Sequence, residues 1–557
     1  MPQDPQTLEN LLHQLLAKLL REKIGLNDEL LSQIKPPLLE FPKEEAFGDI
    51  STTVALKLAP LLKRPPHEIS RKLLESLNEE IPRCELKSLI ERIEIKGAGF
   101  INFYFTGAHF YSILKKILVD KDCFAHKGRK IGKALVEFVS ADPTGPLSVA
   151  HGRQAAVGDS LCNIMQSQGY DVSREYYLND EGNQINILGD SIALRLRELK
   201  GEKISFPEHY YQGGYIVDLA KELLEKEGVA AQGADYYREH GVKRILEIIK
   251  KELEDFGVRF DSWYSQKALA RSGKIEEAIA FLKEKGHIYE KEGAVWFAST
   301  GFGDDKDRVI VKSDNSYTYL APDIAYHRDK FNRGFDRLIN LWGPDHHGYI
   351  ARVKAAIEAL GKDRSALDII IVQLATLFKQ GKTVSMSTRK GEYVTLRQVL
   401  DEVGRDAARF FFLMRKTDSH LDFDLELAKR QGSENPVYYI QYAHARISGI
   451  LAQADIPLDR LQKSDFTLLK EKEELKLLKD IVKFEYVLKI ASAQLDPYGV
   501  TAYLQELAES FHRFYDIHRV LVDDLQLRNA RLSLILGCKT VISLGLKLLG
   551  VSAPEKM

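Results

Sequence analysis

The spacing of apolar side chains divides the chain into three regions of different character. Near the N-terminus, apolar residues recur at helical spacing from Leu8 to Leu19, which predicts an amphipathic helix, and they alternate at Ile93–Ile95 and Phe100–Phe105, which predicts strands. From Ala134 onward β-rich runs alternate with helical stretches, and after about residue 434 the pattern is almost wholly helical. The alternation predicts a parallel, doubly wound sheet, and the last region predicts a helical bundle.

The predicted strands of the central region are short runs of β-forming residues: Ala134–Val139, Asp171–Leu178, Arg308–Val311, Arg337–Leu341 and Asp368–Leu374. The long, charged helical stretch Ile185–Leu282 is predicted to be an insertion in their sheet. We therefore predict an α/β protein with a Rossmann-like, doubly wound domain at 134–433. An α+β domain at 1–107 and a linker at 108–133 precede it, and an all-α bundle at 434–557 follows.

Charge and cysteine content limit the function classes. The chain has 79 Lys and Arg against 80 Asp and Glu, so any RNA-binding surface must be a local basic patch. Its four cysteines lie far apart without a CxxC pair, which argues against a disulfide framework or a zinc ribbon and for a reducing compartment. No apolar run reaches the roughly 18 residues of a membrane span. The N-terminal helix does not have the pattern of a signal peptide. We therefore expect a cytoplasmic protein without a membrane partner.

A first chemical motif lies in the stretch 136–159, which reads VEFVSADPTGPLSVAHGRQAAVGD. A strand ends, a loop of Pro and Gly turns, and a helix starts near His151. The N-terminus of a helix presents unpaired N–H groups and a positive dipole end, which suits a phosphate. Gly152 is expected to let the backbone approach a ligand closely, and Arg153 to add positive charge. The geometry alone fits an ordinary structural turn equally well.

A second motif, at 381–395, reads GKTVSMSTRKGEYVT and follows a predicted apolar strand. A loop dense in Ser, Thr, Lys, Arg and Gly suits contact with phosphates, and cations there would stabilise the charge that develops when a phosphate ester is attacked. Lys382, Arg389 and Lys390 are the local candidates. By composition alone, an ordinary solvated loop is an equal alternative.

Three further clusters suggest ligands. Tyr319 and Asp323 are four positions apart, so that both face one ligand on a helix, and a carboxylate pairs well with a planar guanidinium. The run LWGPDHHGY at 341–349 suggests a metal or a nucleotide, and the nucleotide is favoured because no second acidic cluster accompanies it. Tyr439, Tyr442 and Arg446 share a predicted helix face and suit unpaired bases, although a Tyr stripe is more often core.

Together these segments resemble the bacterial type of the arginyl-tRNA synthetase family, a class I family. The first motif is similar to the family's HIGH region, usually SANPTGPLHVGHGR, and the second to its KMSKS loop, often KMSTR. YTYLAPDIAY is similar to the arginine-binding segment and LWGPDHHGY to the WGADHHG segment. FGDIST, KGAGFINFYF and the ending LLGVSAPEKM also fit the family. The resemblance covers essentially the whole chain.

The resemblance implies a role for each motif residue. Those implied in catalysis are Ser148, His151, Lys382, Met386, Ser387 and Arg389. Those implied in arginine binding are Glu137, Ser140, Asp142, Gln266, Tyr319 and Asp323. Those implied in ATP binding are Ala150, His151, Gly152, Gly343, Asp345, His346 and His347. Those implied in tRNA binding are Tyr439, Tyr442, Arg446 and Met557.

The implied activity is ATP-dependent activation of L-arginine to arginyl-adenylate and transfer to the 3′ end of tRNA(Arg). ATP is expected as a substrate with Mg²⁺, without a structural metal or an obligatory protein partner, in a monomer. Five positions depart from the usual family residues: Asp142, Ser148, Ala150, Gln266 and Ser385. They support an alternative hypothesis, a catalytically impaired synthetase-like tRNA-binding protein. A different nucleotidyl transferase on the same sheet is a third, which leaves the C-terminal bundle unexplained.

Overall fold

The chain folds into two units, each assembled from separate segments. In the computed structural model the residues described are 8–27, 39–40, 42, 47–120, 130–225, 233–379, 382–383 and 393–557. One unit comprises Met1–Lys121, Ala454–Lys483 and Ser510–Cys538, and the other Asp122–Gln453, Phe484–Glu509 and Lys539–Met557. The division at residues 107, 133 and 433 remains a prediction.

The N-terminal region is an α+β layer. A three-stranded antiparallel sheet has the order β1-β3-β2, formed by β1 (Ile50–Thr52), β2 (Ile90–Lys96) and β3 (Phe100–Phe105). The helices are α1 (Leu8–Leu19), continued by a π-helical turn at Leu20–Ile24, α2 (Val54–Leu62), α3 (Pro66–Glu80) and α4 (Gly107–Asp120). Leu12, Leu16 and Leu19 are fully buried on one face of α1, as the leucine spacing predicts. The predicted strands at 93–95 and 100–105 are confirmed.

A five-stranded sheet in which all neighbours are parallel forms the centre of the other unit. Its order is β11-β10-β4-β5-β6, with β4 (Gly132–Glu137), β5 (Tyr170–Leu178), β6 (Ser262–Ser265), β10 (Arg337–Trp342) and β11 (Leu367–Ile371). The chain runs outward from β4 to β6 and then returns to β10 on the other side of β4. The order therefore reverses beside β4, and in doubly wound sheets ligands bind at this point, beyond the carboxyl ends of the strands.

Helices connect the strands of this unit. They are α5 (Val149–Ser167), α6 (Asn183–Leu199), α7 (Gly214–Leu224), α8 (Ala234–Asp255), α9 (Gln266–Arg271), α10 (Lys274–Glu284), α11 (Leu320–Asn332), α12 (Ile350–Ala359), α13 (Leu396–Phe412) and α14 (Leu425–Lys429). The 3-10 turn Pro344–Tyr349 lies between β10 and α12. Leu320, Ile324 and Tyr326 of α11 pack into a core with α10 and α12.

Two expectations about the central region are wrong. Arg308–Val311 is not a strand of the parallel sheet but β9 of a separate antiparallel meander, in which it follows β7 (Ile288–Lys291) and β8 (Ala294–Phe297). Short connections favour antiparallel pairing of sequential strands. The run at 308–311 therefore pairs with its neighbour in sequence, although its β-rich composition suits the parallel sheet equally well. The stretch 185–282 is not an uninterrupted helical insertion either, because β6 lies within it and adds an edge strand to the parallel sheet.

A small mixed sheet flanks the second motif. It contains β12 (Ala375–Lys379), which is antiparallel to β13 (Lys382–Thr383) and parallel to β14 (Leu421–Asp424). The strand predicted at 368–374 is β11, which ends at Ile371, and β12 begins only at Ala375, after a break of three residues. The motif consequently follows β12, not the parallel sheet itself.

The C-terminal region is helical, as predicted. Its helices are α15 (Pro436–Ala454), α16 (Leu458–Leu461), α17 (Lys472–Val482), α18 (Phe484–Gln494), α19 (Tyr498–Ile517) and α20 (Leu525–Leu548). After α20 the segment 549–554 lies against α13 and α15, where Gln441 donates to the Ser552 carbonyl. In the part of the chain that the structure describes, no helix combines the length and apolarity of a membrane span.

Helix α5 carries the first motif and is buried along nearly its whole length. Gly158 of this helix lies directly against Phe138, which follows β4, and a Cβ atom at Gly158 would be 2.3 Å from the Phe138 ring. The contact holds the helix close to the sheet. The start of α5 is therefore fixed relative to the carboxyl end of β4.

We expect Gly158→Ala to destabilise the protein by about 1–3 kcal/mol, because the added methyl group forces apart a packed helix and a buried ring. The measurement is the midpoint of urea unfolding of the full chain. Gly449→Ala is the matched control, since Gly449 also lies inside a helix but nothing is within 4 Å of its Cβ position. There the change should stabilise by about 0.5–1 kcal/mol through helix propensity. Equal effects at both positions would contradict the packing argument.

Candidate functional site

The backbone turns sharply after β4. Val139 and Ser140 have φ values of 67° and 40°, in the left-handed region that residues with a side chain rarely adopt. The turn brings the Ser140 hydroxyl back toward the strand end, where it donates to Glu137 Oε1 at 3.4 Å and accepts from the Tyr177 backbone N–H at 3.0 Å. Strained backbone is thus used here to place polar groups at the edge of the sheet.

The start of α5 holds His151 in one orientation. The Ser148 backbone N–H donates to His151 Nδ1 at 3.2 Å, and the Ser148 hydroxyl lies at the same distance from that atom. Burial lowers the pKa of His151 to about 4, so the ring is neutral at pH 7. Because Nδ1 accepts, the ring proton is on Nε2. The imidazole is therefore a hydrogen-bond donor at the head of the helix, not a cation.

The first motif is tied to the residues that follow the second motif. The Leu396 N–H donates to the Leu147 carbonyl at 2.7 Å, and the Val149 N–H donates to the Val394 carbonyl at 3.3 Å. The Tyr393 hydroxyl donates to the Pro146 carbonyl at 2.8 Å, across 247 positions of sequence. The downstream end of the second motif and the start of α5 therefore form one assembly.

Two expectations about the first motif need correction. Gly152 does not lie against a ligand, because it is buried and a Cβ atom there would be 2.8 Å from Leu396 and 3.2 Å from Phe412. The glycine makes room for α13. Arg153 is not a phosphate-binding cation, because its side chain is fully buried and donates to backbone carbonyls of Gln373, Lys416 and Ser419, at 2.7–2.9 Å.

A buried ion pair, which the sequence did not indicate, neutralises Glu137. The Lys330 ammonium is fully buried and donates to Glu137 Oε2 at 2.5 Å and to Asn340 Oδ1 at 3.1 Å. The Asn340 amide in turn donates to His327 Nε2 at 3.0 Å. Burial lowers the pKa of His327 to about 3, which keeps this ring neutral. The negative charge of Glu137 is therefore already compensated by the Lys330 ammonium.

A second buried carboxylate lies on the neighbouring strand. Glu175 of β5 receives both terminal nitrogens of Arg333 at 2.6 and 2.9 Å and the Tyr326 hydroxyl at 2.7 Å. Burial opposes its ionisation, but the Arg333 guanidinium holds the pKa of Glu175 below its usual value. Sequence reasoning missed this group, although an acidic residue in the middle of a predicted strand was a signal for a buried partner.

Asp323 differs from these two carboxylates. Among the described residues it forms no ion pair with Lys, Arg or His within 4 Å. Burial raises the pKa of its carboxyl group to about 7. Tyr319 begins the same turn and its side chain is 84% exposed. Of the predicted arginine-binding residues, Asp323 and Asp142 are thus the carboxylates without a cationic partner among the described residues, and Asp142 is the more exposed of the two.

The other predicted arginine-binding residues lie around the same strand ends. Gln266, at the start of α9, accepts at Oε1 from the Tyr177 hydroxyl at 3.1 Å. Tyr177, Tyr264 and Tyr326 form an aromatic cluster beside it, with ring centroids 4.6–6.4 Å apart. Asp142 accepts from the Asn179 amide at 3.0 Å. The site therefore has hydroxyl and amide groups placed around an aromatic wall.

The predicted ATP-binding residues after β10 lie at the carboxyl end of the sheet. Gly343 precedes the 3-10 turn, and Asp345, His346 and His347 are exposed on it. The Gln154 amide of α5 lies 3.8 Å from the Cβ position of Gly343, so this turn adjoins the first motif. Over the ranges described above, no group of three or more His, Cys, Asp and Glu side chains is arranged to hold a metal ion.

Most of the predicted catalytic residues of the second motif lie outside the described residues. Met386, Ser387 and Arg389 lie outside the described residues, as does Ser385. Lys382 belongs to β13 by its backbone, and its side chain is likewise outside the description. Their roles remain predictions.

The predicted tRNA-binding residues are half-buried on α15, with one at the chain end. Arg446 donates to the Tyr442 hydroxyl at 2.8 Å and its guanidinium lies 4.7 Å from the centre of that ring. Tyr442 also stacks on Tyr438, at 6.3 Å between centroids. Tyr439 is half-buried and Met557 is 51% exposed. An aromatic and guanidinium surface of this kind suits unpaired bases.

Comparisons with known proteins agree with this arrangement. Three family models match successive parts of the chain: the arginyl tRNA synthetase N-terminal domain at 6–105, the catalytic domain of class I tRNA synthetases (R) at 113–429, and the DALR anticodon binding domain at 440–557. The arginine–tRNA ligase of Syntrophotalea carbinolica is 47% identical over 532 residues, which cover 93% of this chain and 94% of that protein.

This chain belongs to the arginyl-tRNA synthetase family. The arginine–tRNA ligase of Bacillus subtilis is 45% identical over 544 residues, and the matched region covers 96% of this chain and 96% of that protein. The solved structure of Thermus thermophilus arginyl-tRNA synthetase has a TM-score of 0.77 and 22% identity, over 99% of this chain and 100% of that one, which shows the shared fold. The predicted family and fold class are therefore confirmed.

We expect Lys330→Met to cost about 3–5 kcal/mol in the free energy of unfolding, because it leaves the Glu137 charge buried without a partner. Adding Glu137→Gln should restore much of the loss, since the double variant has no buried charge at this place. Urea unfolding of the single and double variants measures both effects. The exposed Lys221→Met is the control, with an expected change within about 0.5 kcal/mol. A double variant as unstable as Lys330→Met would refute this account.

Proposed function

We propose that the chain is an arginine–tRNA ligase, which activates L-arginine with ATP to arginyl-adenylate and transfers the arginyl group to the 3′ end of tRNA(Arg). The observation that carries the substrate assignment is Asp323, a carboxylate without a cationic partner among the described residues, in a site where other buried carboxylates are paired. A guanidinium is the group of arginine that supplies the missing charge. The family membership supports the reaction type.

Arginine recognition follows from the charges around the strand ends. The guanidinium pairs with Asp323, and Tyr319 covers it from the exposed side. Glu137 is already neutralised by Lys330, so it acts as a hydrogen-bond acceptor of fixed position. Ser140, Asp142 and Gln266 complete the set of polar groups. A neutral side chain of the same size would leave the Asp323 charge unpaired, which disfavours it.

Activation requires that the arginine carboxylate attack the α-phosphorus of ATP while pyrophosphate leaves. Negative charge builds up on the phosphate oxygens, and donors aimed at them lower the barrier. The Ala150 N–H in the first turn of α5, the neutral His151 and the Ser148 hydroxyl lie together for this purpose. Ala150 and the turn that contains Gly343, Asp345, His346 and His347 hold the nucleotide. Mg²⁺ enters with ATP as the counter-ion of its phosphates.

Two of the residues that depart from the usual family pattern, Ser148 and Asp142, form hydrogen bonds with neighbouring residues. Ser148 stands where a histidine is usual, and its backbone and hydroxyl hold His151 in place. Asp142 stands where an asparagine is usual, and it is bonded to Asn179. We infer that Lys382, Met386, Ser387 and Arg389 act on the leaving phosphates. Tyr439, Tyr442, Arg446 and Met557 contact the tRNA in the cytoplasm.

The test of the proposal is charging of a tRNA(Arg) transcript with labelled arginine, together with arginine-dependent ATP–pyrophosphate exchange in the presence and absence of that tRNA. We expect charging with arginine and not with lysine, and exchange in the presence of the tRNA. Asp323→Asn should lower kcat/KM for arginine about 10- to 150-fold, the cost of losing a charged hydrogen-bond partner. The exposed Asp314→Asn serves as control. Tight tRNA binding without exchange or charging would instead favour the impaired tRNA-binding alternative.

Arginine binding should depend on pH through Asp323. Its pKa of about 7 in the free protein means that the carboxyl group is mostly protonated at pH 6 and mostly ionised at pH 8. Because the guanidinium binds the ionised form, affinity should rise about tenfold over this range, and binding at pH 7 should release protons. Calorimetry in two buffers of different ionisation enthalpy measures both. Asp323→Asn should remove the pH dependence, and a flat profile for the unaltered chain would contradict the assignment.

A further inference from the structure

A buried tyrosine hydroxyl without a hydrogen-bond partner lies next to the candidate arginine site. Tyr349 is the last residue of the 3-10 turn between β10 and α12, and its side chain is half-buried. Its hydroxyl oxygen is itself buried, yet among the described residues no group forms a hydrogen bond with it. Buried polar groups in folded proteins almost always have a partner, so an unpaired hydroxyl calls for a functional explanation.

Packing fixes the ring of Tyr349 from several sides. The ring contacts the core to which Leu320 and Ile324 of α11 belong. Trp342 of β10 lies edge-on to it, at 6.2 Å between ring centroids, and the Arg352 guanidinium lies 4.6 Å from its centre. A ring enclosed in this way has one orientation, so its hydroxyl is held in one place.

That place is beside the carboxyl group of Asp323. Leu320 and Ile324, which pack around the ring, are close neighbours of Asp323 on α11. Burial and then the charge of Asp323 raise the pKa of the Tyr349 hydroxyl. The hydroxyl in turn lowers the pKa of Asp323, against the larger and opposite effect of burial. Hydrogen bonds in a site without its ligand are often long and shorten when the ligand binds. The hydroxyl is therefore placed to donate to this carboxylate.

The other titratable groups around Asp323 are engaged elsewhere. They are Glu137 of β4, Tyr177 of β5, and His327 and Lys330 of its own helix. Lys330 bonds to Glu137, and the Tyr177 hydroxyl donates to Gln266. The neutral His327 ring lies 2.8 Å from the Asp323 backbone carbonyl, not on its carboxyl group. Of these groups and Tyr349, the tyrosine alone has an uncommitted donor.

Two arginines face Tyr349, and both lower the pKa of its hydroxyl. Arg308 is paired with Asp304 at 2.8 Å, and Arg352 lies over the face of the ring. Burial outweighs both charges, so the pKa of Tyr349 stays above its usual value. The hydroxyl therefore keeps its proton at neutral pH and is able to donate it to a hydrogen bond.

We propose that Tyr349 is a positioning residue for arginine recognition, whose hydroxyl donates to the ionised carboxylate of Asp323 and holds it for the guanidinium. A carboxylate has about four acceptor sites, so one protein donor leaves room for two N–H groups of the ligand. Tyr349 does not touch the arginine and acts through Asp323. This inference rests on the proposed ligase function.

The test is the pH dependence of arginine binding to the full chain with Tyr349→Phe, which keeps the ring and removes the hydroxyl. Without this donor the Asp323 carboxyl group ionises less readily, so the midpoint of the binding profile should rise above the value of about 7 for the unaltered chain. One hydrogen bond to a charged group changes an equilibrium about tenfold, which is about one pH unit. Calorimetry should therefore show arginine affinity reduced about tenfold at pH 6, about 5-fold at pH 7 and less than about 2-fold at pH 9.

Tyr289→Phe is the matched control, because the Tyr289 hydroxyl also donates to a carboxylate, Asp307 Oδ2 at 2.9 Å, but on the separate meander. It should leave the profile unchanged. In an Asp323→Asn background, Tyr349→Phe should have no further effect on arginine affinity. A role in packing alone would instead weaken binding equally at every pH and in both backgrounds.

Urea unfolding of each variant verifies that it is folded. An unaltered midpoint with Tyr349→Phe would overturn the proposal, as would equal weakening at every pH. Failure of the unaltered chain to bind arginine at any pH would count against the proposed function itself, so the two failures are distinguishable.

Discussion

The candidate site depends on the burial of helix α5, because a helix packed on all sides cannot shift relative to the sheet. Three contacts fix it. Gly158 lies on the Phe138 ring, Arg153 donates to carbonyls of the segments around β12 and β14, and Asp159 receives the buried guanidinium of Arg409 at 2.7 Å. Each buried arginine has carbonyl or carboxylate acceptors, which offsets the cost of removing its charge from water. The helix N-terminus with Ser148 and His151 is held at the edge of β4 as a result.

The pairing of buried charges decides which group is left for the substrate. Lys330 balances Glu137 and Arg333 balances Glu175, both with excellent geometry and further hydrogen bonds. Ionising a buried carboxylate without such a partner costs free energy. This cost raises the pKa of Asp323. In the function we propose, a bound guanidinium removes this cost. Selectivity for a cationic side chain would then arise because Asp323 has no cationic partner among the described residues while Glu137 and Glu175 are paired.

The two sequence motifs act as one structural assembly. Residues 146–149 and 393–396 pair through backbone hydrogen bonds, and Tyr393 adds a side-chain bond to Pro146. The same tyrosine and Tyr215 border Gly145. Positions far apart in sequence thus meet at the start of α5. The end of the second motif is therefore in direct contact with the first motif.

The sequence by itself determined most of the local elements and the family. Alternation at 93–105 and the apolar runs of β4, β5, β10 and β11 depend on burial of one or both faces, and such periodicity is visible in a single chain. The motifs also nominated Ser148, His151 and Asp323 as site residues, and their roles remain predictions. Strand ends and helix starts are local features, and for this reason they were predictable.

Only the tertiary structure decided which groups face each other. Three findings depend on partners distant in sequence. Lys330 is buried against Glu137, Gly152 makes room for packing and not for a ligand, and Arg308–Val311 joins a separate meander. A lysine in a helix or a glycine after a histidine has the same sequence signature whether its neighbour is solvent, a ligand or a side chain. Charge pairing and packing are properties of the folded neighbourhood, so the physical roles of these residues were fixed only when the chain brought their partners together.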